Sequence, residues 1–285
     1  MIEKSTQILF TRYLYVKIQV KQSLLLALFD RDWKQALFWG YELYYSGFQE
    51  ETMEFLQSIY KELYLNQCSR SFHAFFIKQY DLWKRDITNE HVVGILIRNL
   101  VLQEYNIDNF YKSYFHISYF TNTDTNTNTN TNTNTRMRIT GVNIDKYKNK
   151  NLNMNPRFVM KNECLYKVNT LLSNISSEDL KESFYYHWEY YAFDCPLWNK
   201  RFLEHKAYKN DEKKRIEFAT VEDEENFVNL YYYEPDEQSK EIQEKCIGTP
   251  SEKQISIKEL TKKYGGTVVY RKLQNRISNR SSSGE

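Results

Sequence analysis

The chain has 285 residues, 41% hydrophobic and 16% aromatic, with 39 Lys and Arg against 37 Asp and Glu, a net charge of +2. That length can bury a core without metals or disulfides, and the balanced charge excludes a global pull on nucleic acid while leaving room for local basic patches. Eight Gly and four Pro are too few for a turn-rich all-β fold, which needs breakers about every 8–12 residues, so helix is expected to dominate.

In chain order, "VKIQVKQSLLLALF" (16–29) is a first helix, stopped by "DRD". Its apolar run 24–29 is too short to span a bilayer. It also lacks the basic flank and cleavage site of a signal peptide, so a soluble intracellular protein is expected. Asp32 caps a second helix, 33–46, with Leu37, Phe38, Tyr41, Tyr44 and Tyr45 at helical spacing, and Gly47 supplies the left-handed residue that ends it. "QEETMEFLQSIYKELYL" (49–65) opens acidic, as a helix dipole prefers, and carries Met53, Leu56, Tyr60 and Leu63 on one stripe. Thr88 or Asn89 begins "EHVVGILIRNLVLQEY", whose nearly all-round apolar character places it at the centre of a bundle. All of 15–118 reads as helical.

The Thr/Asn alternation of 121–135 has a strand's period but two polar faces, so neither can be buried; it reads as a disordered insert. Beyond it, "RMRITGVNI" is a strand candidate or a short extended segment, and "DKYKNKNLNMNP" a loop. Ser176 and Asp179, spaced as a capping box, open "EDLKESFYYHWEYYAF". After Pro196 comes the helix "LWNKRFLEHKA", then a second strand candidate, "KKRIEFAT". "VEDEENFVNLYYYEPDEQSKEIQEKCIG" reads as two helices meeting at Pro235 and ending at Gly248. "SIKELTKKYGG" is capped by Ser256 and closed by Gly265, and the last residues fray.

The densest ring cluster, "ALFWGYELYYSGFQEE" (36–51), has six aromatics in sixteen positions. Phe38, Tyr41 and Tyr45 share one face, and a stripe of this period points inward. Tyr44 and Trp39 lie off that stripe. With Phe48 they are the candidates for contact with a protein partner, in an aromatic groove over 38–48, because a phenol can bury its ring and keep its hydroxyl wet. This block, "FYYHWEYYAFDCPLW" (184–198) and "YYEPDEQSKEIQEK" (232–245) resemble an uncharacterised protein family of giant nucleocytoplasmic large DNA viruses. The resemblance implies a viral origin, with which the Asn/Lys/Tyr/Phe-rich composition agrees, and no activity. Residues 36–39, the stop at Gly47 and the acidic start that follows are also similar, over about thirty residues, to the helical collar of clamp-loader-related AAA+ ATPases. The ATPase module's GxxxxGK[ST] occurs nowhere in the chain.

Motifs that carry chemistry are sparse. The adjacent glycines Gly265 and Gly266 follow a helix instead of opening one, so they suit a helix end and not a phosphate cradle. Cys68, Cys164, Cys195 and Cys246 are far apart, the pattern of reduced thiols. His187, Cys195 and His205 form the best local metal set, yet their gaps match no zinc pattern. Cys195 with His187 is the one nucleophile–base pair worth testing, and packing is the favoured reading of both. The acids at 222–225 and 234–237 sit at helix starts, where the dipole accounts for them. A PD-(D/E)xK nuclease fails for want of a downstream ExK. Lys258, Lys262, Lys263, Arg271, Lys272, Arg276 and Arg280 face a single acid, Glu259, so Lys262, Lys263, Arg271, Lys272 and Arg276 are candidate phosphate contacts of a basic tail.

The residues therefore predict a mainly α fold. It comprises a helical bundle over 1–120, the insert 121–135, an α-rich second lobe over 136–266 with at most a few short strands, and a flexible basic tail over 267–285. The lobes are free to pack as one domain. No cofactor or metal is expected. The leading function is a non-enzymatic interaction or scaffold protein of a large DNA virus, with a protein partner. The alternative is a nucleic-acid-associated accessory factor working through the basic tail. An enzyme with a site assembled from distant residues is the third.

Overall fold

The structure, a computed structural model, describes residues 7–115, 139–148, 175–231, 235, 239–247 and 257–265. It is mainly α-helical, with one two-stranded sheet among the described residues, and its buried apolar side chains gather into two cores.

The first core is built by α1 (Lys17–Phe29), α2 (Trp33–Tyr45), α3 (Gln49–Ile59), α4 (Arg70–Arg85), α5 (Glu90–Leu100) and α6 (Asp108–Phe115). The expected punctuation is present. Asp32 accepts hydrogen bonds from the amides of Lys34 and Gln35, and Gly47, at φ +97°, ends α2. After α3 the helix widens into a π-turn over Tyr60–Tyr64, closed by the Leu65 amide donating to the Tyr60 carbonyl. The extra residue in that turn brings Tyr60, Leu63 and Tyr64 inward together, and Tyr60 stacks on Phe76 at 3.9 Å. In α4, which the sequence covers only by its general helical character, Ser69 caps the start and Phe72, Phe76, Tyr80 and Trp83 form the inner stripe.

Helix α5 runs through the middle of this core, as its all-round apolar character implies, with Val92, Val93, Leu96, Ile97 and Leu100 buried. Its approach to α2 depends on two glycines facing opposite ways. A Cβ on Gly40 would collide with Ile97, and one on Gly94 with the Tyr41 hydroxyl.

Of the strand or short extended segment expected over "RMRITGVNI", the described part, residues 139–144, forms no strand. The segment is instead held by a buried amide. Asn99 donates through Nδ2 to the Ile139 carbonyl at 2.6 Å and accepts the Ile139 amide at 3.0 Å. Ile144 and Tyr147, in and beside a short 3-10 turn (Asp145–Tyr147), then enter the first core, with Tyr147 stacked on Tyr41 at 5.1 Å.

The second core takes α7 (Ser177–Tyr186), α8 (Trp188–Ala192), α9 (Pro196–Glu204), α10 (Val221–Tyr231), α11 (Lys240–Ile247) and an antiparallel hairpin of β1 (Ala207–Asn210) and β2 (Arg215–Phe218). The Ser176–Asp179 cap forms as expected. The helix read as continuous from 178 to 193 breaks at His187, and the one read as reaching Ala207 ends at Glu204. Lys206, at φ +53°, turns the chain into β1, a strand with no apolar alternation to announce it.

The boundary between the cores differs from the expected division at the Thr/Asn tract. Phe10, Leu14 and Val16, near the chain start, belong to the second core. Leu260 and Tyr264 of α12 (Ile257–Tyr264) belong to the first, where Tyr105 and Tyr111 donate to the carbonyls of Tyr264 and Gly265. Each core thus borrows chain from the far side of the other. The tract 121–135 and the tail 267–285 lie outside the described residues.

Candidate functional site

The segment 10–16 crosses between the cores and carries the most polar buried cluster of the described residues. Its Arg12 points at Glu42, in the middle of α2, with Nε 2.9 Å from Oε2. Both side chains are out of water, at 4% and 0% exposure. Glu42 also accepts from Thr11 Oγ1 at 2.6 Å and from the Tyr13 amide at 3.0 Å. Burial pushes its carboxyl above the usual range, against the pull of Arg12 and the two neutral donors. All three of these partners are donors, the bonding pattern of an ionised carboxylate. The Arg12 fork reaches on to the Tyr147 carbonyl at 2.9 Å, and its own amide donates to Ser46 Oγ.

The second core meets this cluster through the start of α9. The Leu197 amide and the Cys195 thiol both donate to the Ser46 carbonyl, at 3.1 and 3.2 Å, and Trp198 Nε1 donates to the Arg12 carbonyl at 3.2 Å. Pro196 packs so closely on Gly47 that an added Cβ there would lie 2.5 Å from its ring.

One turn along α9 sits a second buried guanidinium. Arg201 is 6% exposed and lies over the rings of Trp198 and Tyr231, 4.6 Å from each. Among the described residues it has no hydrogen-bond or ion-pair partner. Burial lowers its pKa. Tyr13, close enough to feel the Arg201 charge, is likewise buried, and burial raises the pKa of its hydroxyl.

The sequence candidates are distributed differently from expectation. Phe38 and Tyr41 are buried and Tyr45 nearly so. Trp39 and Tyr44, expected at the exposed margin, are buried too, at 2% and 3% exposure. The reason is that α2 has no outer face: every residue from Gln35 to Tyr44 is covered. The Tyr44 hydroxyl, instead of staying wet, donates to the Ile87 carbonyl, while Tyr41 and Tyr45 donate to the backbone and carboxylate of Glu90. Trp39 packs edge-on against Phe38 and Tyr15. Phe48 is half-buried against the second core, with the Lys17 ammonium 4.6 Å from its ring. No aromatic groove opens over 38–48.

Among the basic candidates, Lys262 is exposed, and Lys263 folds back onto the first core to pair with Asp30 at 3.0 Å. Arg271, Lys272 and Arg276 lie outside the described residues. His187, Cys195 and His205 face separate neighbourhoods: the Lys214 carbonyl, the Ser46 carbonyl, and the rings of Phe227 and Tyr231. The Cys195 thiol is pushed up to about 12 by burial, so it is protonated at neutral pH and a poor nucleophile. Among the described residues no three His, Cys, Asp or Glu side chains gather as metal ligands. No helix there is long and apolar enough to cross a membrane.

Exposed apolar side chains concentrate elsewhere. Of the ten large hydrophobic residues that are exposed among the described residues, five fall within 203–230: Leu203, Tyr208, Val221, Val228 and Leu230. They project from α9, β1 and α10, elements joined through the hairpin, and Val221 is 71% exposed. No pattern in the sequence marks them, because they sit among charged residues at no helical or strand period. Comparison with known proteins finds no matching family, relative or solved structure.

Proposed function

We propose that the protein is a non-catalytic helical interaction protein whose partner-facing surface is the α9–hairpin–α10 side of the second core. The observation that carries this is the density of large apolar side chains there. Singly exposed hydrophobics are ordinary, whereas a concentration on adjoining elements is characteristic of recognition surfaces. The viral origin implied by the three sequence blocks belongs to the same proposal. The test is the triple variant Leu203→Ser, Val221→Ser, Val228→Ser, compared with the unaltered chain in proximity labelling inside the producing cell. Surface changes of this kind alter stability by about 0.5 kcal/mol or less each, so the variant stays folded. It is expected to lose the proteins enriched by the unaltered chain. An unchanged set of labelled proteins excludes this surface.

A second reading, nucleic-acid association, is favoured by one spot on the first core. Trp33, the one exposed tryptophan, has the Arg98 guanidinium 3.9 Å from its ring and Lys34 on its flank, and Lys263 is pinned to Asp30 three residues before it. A ring with unpaired cations beside it suits stacking of an unpaired base. Retention of a single-stranded oligonucleotide at low salt, reduced by Trp33→Ala, is the result this reading expects; equal retention by the variant removes it.

A further inference from the structure

We propose that Arg201 anchors an oxyanion-binding site where the two cores meet, taking one carboxylate or phosphate group of a ligand. The argument starts from charge. The joint buries two guanidinium groups, Arg12 and Arg201, for one carboxylate, Glu42. Arg12 consumes that carboxylate in a direct ion pair. A buried cation left without a counter-ion is costly, and a protein that keeps one holds a standing demand for an anion.

Geometry gives the demand a direction. Trp198 and Tyr231 lie against the guanidinium at 4.6 Å each, and α9 fixes the stem from which it projects. The guanidinium is therefore held in place between the two rings. A planar fork of this kind binds an oxyanion through two parallel hydrogen bonds. Tyr13, buried at the same joint, lies within reach of the Arg201 charge. The only carboxylate that bears on Arg201 from its own helix, Glu204, lies exposed and is engaged by Lys200 at 3.9 Å. Donors, a charge and aromatic walls, with no competing acceptor among the described residues, describe a receptor for an anion. The site shares α9 and α10 with the apolar surface proposed above but is tested independently of it, because a free anion needs no partner.

The experiment is thermal unfolding of the full chain, titrated with inorganic phosphate, sulfate or acetate at constant ionic strength against chloride. The unaltered protein is expected to show a saturating rise in Tm with at least one oxyanion; phosphate over acetate, or the reverse, identifies the ligand class. Arg201→Met keeps the stem between the rings and removes the charge. It is expected to melt no lower than the unaltered protein in chloride and to lose the oxyanion-dependent rise. Arg201→Lys keeps the charge without the fork and is expected to bind roughly tenfold more weakly, a readout that holds even if the methionine variant does not fold. Equal rises in all three proteins mean a general salt effect and overturn the proposal. So does the absence of a rise with every oxyanion, or an undiminished affinity in Arg201→Lys.

Discussion

Replacing Glu42 by alanine is expected to destabilise the protein by about 3–5 kcal/mol, the range found when one partner of a buried ion pair is removed. Typical domains are stable by about 5–15 kcal/mol, so this is a large share of the total. The change strands three donors at once: the Arg12 fork, the Thr11 hydroxyl and the Tyr13 amide. Replacing both charged residues, as Arg12→Met with Glu42→Leu, removes the stranded charge and recovers part of the loss. Recovery stays incomplete because Thr11 and Tyr13 still lack their acceptor, at about 1–3 kcal/mol for each buried unsatisfied group. Urea unfolding of the unaltered protein, Glu42→Ala and the double variant measures both effects. A loss below about 1 kcal/mol for Glu42→Ala would place the pair among solvated surface bridges.

Trp198→Ala is expected to cost a comparable amount, about 3–5 kcal/mol for a fully buried large aromatic. Trp198 is completely buried, meets Trp188 edge-on at 5.2 Å, lies under Arg201 and donates to the Arg12 carbonyl. It both fills the second core and bonds to the crossing segment. Its truncation should therefore lower the stability of the first core as well as its own. Trp198→Phe, which restores most of the volume without the donor, is expected to recover more than half of the loss. Thermal unfolding followed by near-ultraviolet dichroism reads both variants, and a variant whose first-core signals melt unchanged would show that the cores are independent.

These effects concentrate in the part of the molecule least legible in the sequence. The helical elements were readable because their signals are local: Asp32 as a cap, Gly47 as a stop, the Ser176–Asp179 box, and the 3.6-residue stripe of Phe38, Tyr41 and Tyr45. The error over Trp39 and Tyr44 has a definite cause. Periodicity assigns a residue to a face, but it does not say how many neighbours surround a helix, and α2 is covered on all sides. Glu42, inside the same aromatic run, carries no local sign of its burial. Its partner is thirty residues away at Arg12, with nothing between them to mark the pairing. β1 was missed because "AYKN" lacks apolar alternation; its pairing with the readable "RIEF" strand makes it a strand. Arg201 reads from sequence as an ordinary helix-surface charge, and only the placement of Trp198 and Tyr231 against it reveals otherwise.

The measurement that bears most directly on this account is native-state hydrogen exchange at the amides of Tyr13 and Leu197. Each bonds across the joint, one to the Glu42 carboxylate and the other to the Ser46 carbonyl. If segment 10–16 and α9 lock the two cores into one cooperative unit, both amides exchange as slowly as those in the middle of α2, through global unfolding. Exchange of either amide orders of magnitude faster than α2, with α2 itself protected, would mean that the joint opens while the cores stay folded, and would contradict the account.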